Sequence, residues 1–282
     1  MSKVAIVTDS TVNLPQSVIK DYPITVAPQI VIWDEKTYQD GIDIQPAAFY
    51  TRLKTSKSMP SSSQVSPITM RDTITNLLNQ GYEVLAIMIS SHLSGTMSSA
   101  IMAKEMLPDR PVELVDSLTT SMAMGFQVLT AARAAKNGAS LLECKAIAEK
   151  ARDLTGVYFV VDTLEFLHRG GRIGGASRLL GTALNLKPIL TVEGGKIEPV
   201  ARVRTQKKAF EKLLDLVGEK LENSTMARVS VLHANAASEA DQVMSEVVER
   251  FHPAETVMTE VSPVIGTHTG PGTVGIAYLR DM

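Results

Sequence analysis

Three hydroxyl- and glycine-rich stretches hold most of the side chains in this sequence that could bind a polar group. They offer serine and threonine hydroxyls, backbone N–H groups and histidine, but none of them contains a carboxylate. That composition suits holding an anionic oxygen better than it suits breaking a bond. The stretches are Pro60-Ser61-Ser62-Ser63-Gln64, Ser90-Ser91-His92-Leu93-Ser94-Gly95-Thr96 and Gly266-Thr267-His268-Thr269-Gly270-Pro271-Gly272.

The second stretch follows an apolar, strand-like run and opens a helix-like segment at Ser94-Gly95-Thr96. Backbone N–H groups at a helix N-terminus attract anions, and a serine hydroxyl there adds a donor. Ordinary helix capping explains one such hydroxyl but not several in seven residues. The first stretch has the same two interpretations, because loops are often rich in serine.

His268 is the histidine with the most distinctive setting, because the glycines on both sides indicate a backbone held closely around it. His92, inside the second stretch, is its only rival. The five histidines and the single cysteine show no ligand spacing, so we expect no metal site. That cysteine, Cys144, lies in a helical pattern and is predicted to be a small buried residue rather than a nucleophile.

A serine hydrolase is an alternative interpretation of the same residues. Ser94 could pair with His268, and Asp9 or Asp116 could orient the imidazole. However, Leu93-Ser94-Gly95 does not match the G-x-S-x-G turn that presents a nucleophilic serine.

The stretch 270–275 fits the pattern G-x-G-x-x-G, which taken alone suggests a dinucleotide-binding loop. That loop needs a strand before it, a helix after it and an acidic residue about 20 positions further on. Here Ile276-Ala277-Tyr278-Leu279 follows with a strand pattern. The glycines are therefore expected to allow close backbone approach, and no Walker A sequence supports ATP binding by this chain.

Residues 169–208 contain nine Lys or Arg and only two Glu, within a chain of net charge −2. A solvated basic face is the simpler interpretation of such a run. A docking face for an acidic partner or a phosphate is the alternative, because arginine suits phosphate and carboxylate recognition. The arginines of this segment are Arg169, Arg172, Arg178, Arg202 and Arg204.

The overall composition excludes several classes of protein. The 282 residues are 44% hydrophobic and 21% charged, enough for a substantial core. The small net charge argues against a nucleic-acid or membrane-surface binder. One cysteine allows no internal disulfide. No apolar run approaches the length of a membrane span, and no signal peptide is recognisable, so we expect a cytoplasmic protein without stable membrane insertion.

Alternating strand-like and helix-like segments predict an α/β architecture for the first half of the chain. Ser66-Pro67 supplies a helix start, and Gly81 ends that helix. The short apolar runs, rich in branched residues, predict buried strands of a mostly parallel sheet. The predicted strands are 4–8, 26–32, 84–90 and 112–115, and the predicted helices are 68–79, 96–106 and 118–136.

The pattern changes near residue 160, so we predict an N-terminal domain over 1–160 and a C-terminal domain over 161–282. No Pro/Gly/Ser linker separates them, so the two are expected to pack closely and share a cleft. Glu193-Gly194-Gly195-Lys196 predicts a hairpin. Further predicted elements are strands 158–161, 190–192, 197–203, 229–232, 256–261 and 273–279, and helices 163–168, 206–221 and 239–251.

Five motifs, in order along the whole chain, resemble the DegV family, the fatty-acid-binding subunits of bacterial fatty acid kinase. The motifs are Thr8-Asp9-Ser10-Thr11 with Leu14-Pro15, Ser62-Ser63-Gln64, Leu93-Ser94-Gly95-Thr96, Asp162-Thr163-Leu164 with Arg169-Gly170-Gly171-Arg172-Ile173, and Ile265-Gly266-Thr267-His268-Thr269-Gly270-Pro271-Gly272. The resemblance implies two α/β domains, with a mostly parallel sheet in the first, a mixed sheet in the second and a long-chain fatty acid between them.

The resemblance also implies roles for individual residues. The fatty acid carboxylate would be held by Ser62, with Ser63 a near alternative, and by Ser94 beside Gly95 and Thr96. His268 would belong to the same hydrogen-bond network and could assist phosphoryl transfer. The family commonly has threonine where this chain has Ser62 and proline where it has Val65, so the hydroxyl is kept and a methyl contact is lost.

The resemblance further implies that the chemistry belongs to a partner. A separate kinase subunit would bring ATP and convert the bound acid to an acyl phosphate for phospholipid metabolism. Arg169, Arg172, Arg202 and Arg204 would face that kinase and its phosphates. The chain itself would hold no metal, no cofactor and no catalytic residue of its own. A lipid-occupancy sensor remains a third interpretation beside the carrier and the hydrolase.

Overall fold

The computed structural model describes residues 3–181 and 186–282. Within these ranges the chain forms thirteen strands, ten α-helices and two 3₁₀ turns, Ser10–Val12 and Gly174–Leu179. The strands are β1 (Lys3–Asp9), β2 (Ile24–Ala27), β3 (Ile30–Trp33), β4 (Lys36–Gln39), β5 (Ser61–Ser63), β6 (Tyr82–Met88), β7 (Val112–Asp116), β8 (Thr155–Val160), β9 (Lys187–Glu193), β10 (Lys196–Val203), β11 (Arg228–His233), β12 (Glu255–Glu260) and β13 (Val274–Leu279). The helices are α1 (Gln16–Ile19), α2 (Pro46–Thr55), α3 (Pro67–Asn79), α4 (Thr96–Glu105), α5 (Ser121–Lys136), α6 (Leu141–Leu154), α7 (Glu165–Arg169), α8 (Gln206–Leu221), α9 (Ala237–Phe251) and α10 (Pro263–Thr269).

The first sheet has the strand order β2-β1-β6-β7, and all its pairs are parallel. Side chains of a strand alternate between the two faces of a sheet, and here both faces are covered. Ala5 and Val7 pack in one apolar cluster with α3 and α4. Val4 and Ile6 pack in another with α5 and α6. Burial on both faces explains why these strands are continuous apolar runs.

The second sheet has the order β10-β9-β8-β13-β11-β12 and is mixed, because only β11 and β12 pair in parallel. Helices α8 and α9 cover one face. Helix α5 contacts strands of the other face as well as β1 of the parallel sheet. The α/β fold with one parallel and one mixed sheet is thereby confirmed, and α5 forms the layer between the two sheets.

The junction between the sheets lies at Thr155, where β8 begins and pairs with β13. This strand precedes the predicted domain boundary at residue 160, yet it belongs to the mixed sheet. The division into domains 1–160 and 161–282 stays a prediction, and the sheet itself starts five residues earlier.

A third, small antiparallel sheet has the order β4-β3-β5, and it shows that one predicted strand was wrong. The segment 26–32 forms two strands in different sheets, because Pro28 has no N–H to donate to a ladder. The first serine stretch is also not a loop. It forms β5, in which Ser62 pairs with Val31 of β3.

Two further local predictions need correction. Helix α5 begins at Ser121 rather than at 118, because Thr120, immediately before it, has the extended conformation φ −153°, ψ 178°. His268 does not lie in a glycine turn but in the last turn of α10, which ends where Gly270 adopts φ 75°. The hairpin at Glu193–Lys196 is confirmed, with β9 and β10 paired antiparallel on either side of it.

Candidate functional site

A cavity of about 170 Å³ lies where β5, the segment after β6, α10 and β10 meet. Five of the six residues predicted from the sequence to hold a carboxylate line this cavity: Ser62, Ser63, Ser94, Gly95 and His268. The other lining residues are Thr11, Gln29, Gln64, Ile89, Leu93, Thr120, Leu167, Arg172, Ile197, Val264, Ile265 and Thr269. We call this space the polar cavity. No acidic side chain is among the described residues that line it.

The hydroxyl of Ser62 and the imidazole of His268 share a hydrogen bond across the polar cavity, with 2.7 Å between Oγ and Nε2. The pleat of β5 turns Ser62 toward the cavity, and the helical backbone of α10 brings His268 opposite to it. The two residues lie 206 positions apart in the sequence. Two of the three hydroxyl-rich stretches therefore meet directly.

His268 is a neutral imidazole at physiological pH. Burial and, to a smaller extent, the positive charge of Arg172 lower its pKa to about 4. Its other ring nitrogen, Nδ1, is buried without a hydrogen-bond partner in the described part of the chain. That nitrogen packs against Gly170, where a Cβ atom would collide with it. Gly170 therefore leaves the space that the ring occupies.

Ser94 also lines the polar cavity and lies just before α4. Its hydroxyl lies 3.0 Å from that of Thr96, and it also accepts the Thr96 N–H at 3.3 Å. Thr96 is buried and does not line the cavity, so it supports Ser94 rather than facing a ligand. Gly95 has no room for a side chain because Gln64 packs against it. The contact between Gln64 and Gly95 joins the first and second stretches.

Arg172 joins the mixed-sheet half of the protein to the loop that carries Ser94. Its Nε donates to the carbonyl of Leu93 at 3.0 Å, and one terminal nitrogen donates to the carbonyl of Gly170 at 2.8 Å. The guanidinium is partly buried at the edge of the polar cavity. A positive charge thus lies near the hydroxyls and the imidazole, where it favours an anionic ligand group.

A second, smaller cavity of about 60 Å³ adjoins the first. The two share the lining residues Thr120, Ile197, Ile265 and Thr269. Beyond these, the walls are mainly apolar and come from the mixed sheet and its flank: Val157, Phe159, Val192, Leu232, Val261 and Gly275, with Ser121 and Thr273. We call this space the apolar cavity. The shared residues place an apolar space directly beside the polar one.

The predicted partner-facing arginines lie in different places. Arg172 lines the polar cavity, whereas Arg202 and Arg204 line a surface cavity of about 650 Å³ together with His168 and Lys187. Arg169 forms an ion pair with Glu165, another residue of that surface cavity, at 2.7 Å. The basic segment thus supplies one arginine to the polar cavity and two to a separate surface cavity.

The geometry required of a serine hydrolase is not assembled. His268 bonds to Ser62, and its Nδ1 has no carboxylate partner among the described residues. Asp9 accepts hydrogen bonds from Thr11, Gln29 and Ile89 instead. Asp116 accepts from the backbone N–H groups of Ser91 and Leu118. Neither acid that we considered for a triad orients the imidazole.

Three further findings bear on other interpretations. Within residues 3–181 and 186–282, no three His, Cys, Asp or Glu side chains are grouped so that they could hold a metal ion. No helix in those ranges combines the length and the apolar character needed to cross a membrane. Cys144 is fully buried on α6, as its sequence pattern indicated.

Two polar residues that line the polar cavity were not predicted from the sequence, because no local motif marks them. Gln29 follows β2 and reaches the cavity because Pro28 turns the chain between two sheets. Thr120 lines both cavities at the start of α5, and its hydroxyl is buried without a partner in the described chain. Their position depends on packing between layers, which the local sequence does not encode.

Comparison with known proteins identifies the family of the chain. The sequence model of the DegV family matches residues 3–281. The chain belongs to the DegV family. A DegV domain-containing protein of Clostridium acetobutylicum is 37% identical to it over 282 residues, covering 99% of this chain and 98% of the relative.

Solved DegV structures share the whole fold. A DegV family protein from Thermus thermophilus, described by its fatty acid binding, superimposes with a TM-score of 0.94 at 35% identity and covers 99% of this chain and 100% of that one. DegV from Bacillus subtilis, described as a fatty acid binding protein, gives a TM-score of 0.90 at 32% identity, with both chains fully covered. Members of the family thus bind fatty acids.

Proposed function

We propose that this chain binds a long-chain fatty acid, with the carboxylate in the polar cavity and the acyl chain directed into the apolar cavity, whose walls move apart to accommodate it. The observation that carries the proposal is that a polar and an apolar cavity adjoin, with Thr120, Ile197, Ile265 and Thr269 in the walls of both. A ligand that suits this pair of cavities has one anionic end and one apolar end. The fatty acid binding described for the Thermus thermophilus and Bacillus subtilis relatives supports the same class.

The polar cavity compensates for burying a carboxylate. An unpaired buried charge is very costly, but each hydrogen bond to a charged group contributes about 1.5–3 kcal/mol. Ser62 and Ser94 supply hydroxyl donors, and the guanidinium of Arg172 supplies positive charge. The ligand brings the negative charge that these lining residues lack.

The Ser62–His268 pair sets the direction of the hydroxyl. For Ser62 to donate to a carboxylate, Nε2 of His268 must carry the proton and donate to Ser62 Oγ. Nδ1 is then a bare lone pair, which agrees with its position against Gly170 without a partner in the described chain. A low pKa keeps the ring in this neutral form, so His268 prepares Ser62 as a donor.

The acyl chain supplies the affinity that the carboxylate does not. Each buried CH₂ contributes about 0.8 kcal/mol, of which part is lost to ordering a flexible chain. Phe159, Val192 and Leu232 provide the apolar walls.

We further propose that the bound acid is presented to a separate ATP-dependent kinase subunit, which transfers the γ-phosphoryl group to the carboxylate oxygen and releases ADP. Support comes from the absence of a nucleotide-binding motif in the sequence, and from the surface cavity lined by Arg202 and Arg204, where a phosphate or an acidic surface would be attracted. The chain itself then acts as a carrier rather than as an enzyme.

Mass spectrometry of the organic extract from gently purified protein tests the binding proposal. We expect about one fatty acid per chain, and its mass gives the acyl length and unsaturation. A delipidated protein that fails to take up any added fatty acid would contradict the proposal. For the kinase step, hydroxylamine trapping of acyl phosphate in a mixture with a candidate kinase and ATP should depend on Arg202 and Arg204.

A further inference from the structure

Two buried carboxyl groups lie behind the polar cavity, and the proposed function leaves them without a role. Asp9 is fully buried and Asp40 is 2% exposed. They are linked through Ser10 and Gln29: Ser10 donates to Asp40 at 2.7 Å, and Gln29 donates through its backbone to Ser10 and through its side chain to Asp9. Burying two carboxyl groups costs free energy of folding, so we expect the pair to have a role in the structure.

Each carboxyl holds one side of the polar cavity. Asp9 accepts the backbone N–H of Ile89 at 2.8 Å, just before the stretch that carries Ser94. Asp40 accepts the backbone N–H of Val264 at 3.2 Å, in the first turn of α10. One turn further along that helix lies His268. The pair therefore contacts two segments that line the polar cavity, at Ile89 and at Val264.

We propose that Asp40 is a positioning residue, whose carboxylate holds the start of α10 so that His268 stays in contact with Ser62. The inference rests on the proposed function, because it assigns to Asp40 the alignment of the carboxylate-binding groups. The ionised carboxylate of Asp40 binds the start of α10 more strongly than the protonated acid does, since hydrogen bonds to a carboxylate are roughly twice as strong as neutral ones.

Protonation of Asp40 is accessible near neutral pH. Burial raises its pKa to about 6, the bonds from Ser10 and Val264 lower it, and the charge of Asp9 adds a smaller increase. Tyr50 interacts with the charges of both Asp40 and Glu260, and its pKa is raised well above its ordinary value, mainly by burial. Glu260 also influences His233. The hold on α10 is thus expected to loosen as the pH falls through 6.

Imidazole ¹⁵N chemical shifts of His268 in the ligand-free, fully folded protein test this directly. Because His268 itself titrates near pH 4, it is almost entirely neutral above pH 5.5, so its shifts between pH 5.5 and 8 should report its neighbours. We expect an inflection near pH 6 in the wild type and none in Asp40→Asn. The matched control is Asp34→Asn, which removes an exposed carboxylate from the turn between β3 and β4 and should keep the inflection.

Two further variants keep the test decisive. Ser10→Ala removes a bond that lowers the pKa of Asp40, so the inflection should move to higher pH even if Asp40→Asn folds poorly. His233→Gln should leave the inflection in place, which separates Asp40 from the His233–Glu260 pair. An inflection that survives in Asp40→Asn, or disappears in His233→Gln, overturns the assignment to Asp40.

Ligand affinity gives the functional readout. At pH 7.5 we expect Asp40→Asn to bind fatty acid about tenfold more weakly than the wild type, and at pH 5 the two should converge, because wild-type Asp40 is then protonated. A constant ratio across this range contradicts the positioning role. A protein that carries fatty acid but shows no inflection overturns this inference alone, whereas an inflection in a protein that binds no fatty acid overturns only the proposed function.

Discussion

Nε2 of His268 lies 2.7 Å from the hydroxyl of Ser62, and the rest of the polar cavity is arranged around that contact. On the far side of the ring, Gly170 leaves room for Nδ1. Arg172 ties Gly170 to the loop before Ser94 through two hydrogen bonds. A neutral imidazole between a serine and a glycine suits orientation of a donor hydroxyl, and it does not suit proton abstraction from Ser94.

Removal of either donor hydroxyl should weaken fatty acid binding. Ser62→Ala and Ser94→Ala each lose a bond to a charged group, worth about 1.5–3 kcal/mol, so the dissociation constant should rise by about 10- to 100-fold. Titration calorimetry or displacement of a fluorescent fatty acid measures this. Ser98→Ala, on the exposed face of α4, is the control and should bind normally. Wild-type affinity in both site variants would remove these serines from the carboxylate site.

Alanine substitutions at the two neighbouring glycines after α7 distinguish the effect of a steric collision from the effect of backbone strain. Gly170 has φ −75°, but a Cβ there would collide with His268, so Gly170→Ala should displace the ring and weaken fatty acid binding. Gly171 has φ +70° and open space, so Gly171→Ala should cost about 1–2 kcal/mol of unfolding free energy and leave binding intact. Parallel chemical denaturation and binding assays compare them. Equal binding by both variants would show that the ring position is unimportant.

His268 should make stability depend on pH. In the unfolded chain its pKa is about 6.5, whereas in the folded protein it is about 4. Between these values the unfolded state binds a proton that the folded state does not, so the contribution of His268 to stability falls as the pH falls. We expect His268→Gln to gain about 3 kcal/mol relative to wild type between pH 7 and pH 4, measured by urea unfolding. The raised pKa of Asp40 changes stability in the opposite direction as the pH falls, but Asp40 is present in both proteins and cancels in the comparison. If the difference in unfolding free energy between His268→Gln and wild type stays constant with pH, the burial of a neutral ring is contradicted.

His268→Ala should impair acyl-phosphate formation more than it impairs fatty acid binding. Its loss leaves Ser62 able to bind a carboxylate but without a fixed hydroxyl direction, which matters most when the carboxylate oxygen must be aligned with a phosphoryl group. Single-turnover phosphorylation with a kinase partner, run beside binding titrations, measures the two effects. Unchanged phosphorylation would remove His268 from that step.

The tip of the β9–β10 hairpin should control how fast the ligand leaves. The buried hydroxyl of Ser90 donates to the carbonyl of Gly195 at 2.8 Å, and a Cβ at Gly195 would collide with Ser90 and His92. Val192 and Ile197, on either side of this tip, line the apolar cavity. Gly195→Ala should therefore detach the hairpin and accelerate fatty acid dissociation, measured by stopped-flow exchange.

Gly194 provides the matched control for the hairpin. It also has a positive φ, +55°, but a Cβ atom added there would have no neighbour within 4 Å in the described part of the chain. Gly194→Ala should cost only the strain of a left-handed backbone, about 1–2 kcal/mol, and leave the dissociation rate unchanged. Equal acceleration in both variants would attribute the effect to strain rather than to the Ser90 contact.

The sequence anticipated much of this site for a local reason. Hydroxyls, glycines and histidine mark groups that bind an oxygen, and the residues of all three stretches do line one cavity: Ser62, Ser94 and His268. Helix α8 has the predicted bounds, because its amphipathic pattern and N-cap at Thr205 are local signals. The single predicted strand over 26–32 was wrong, because membership of a sheet depends on distant partners: β2 pairs with β1, whereas β3 pairs with β4 and β5.

The amino-acid sequence alone determined the α/β class, the hairpin at Glu193–Lys196 and the set of polar groups, since each follows from periodicity or from the chemistry of individual residues. Only the tertiary structure decided which of these groups meet. It placed Arg172 at the polar cavity and Arg202 and Arg204 on a separate surface, and it paired His268 with Ser62 rather than with any acid of the described chain. The physical reason is that contacts between residues far apart in the chain depend on how the sheets and helices pack, and no local pattern encodes that packing.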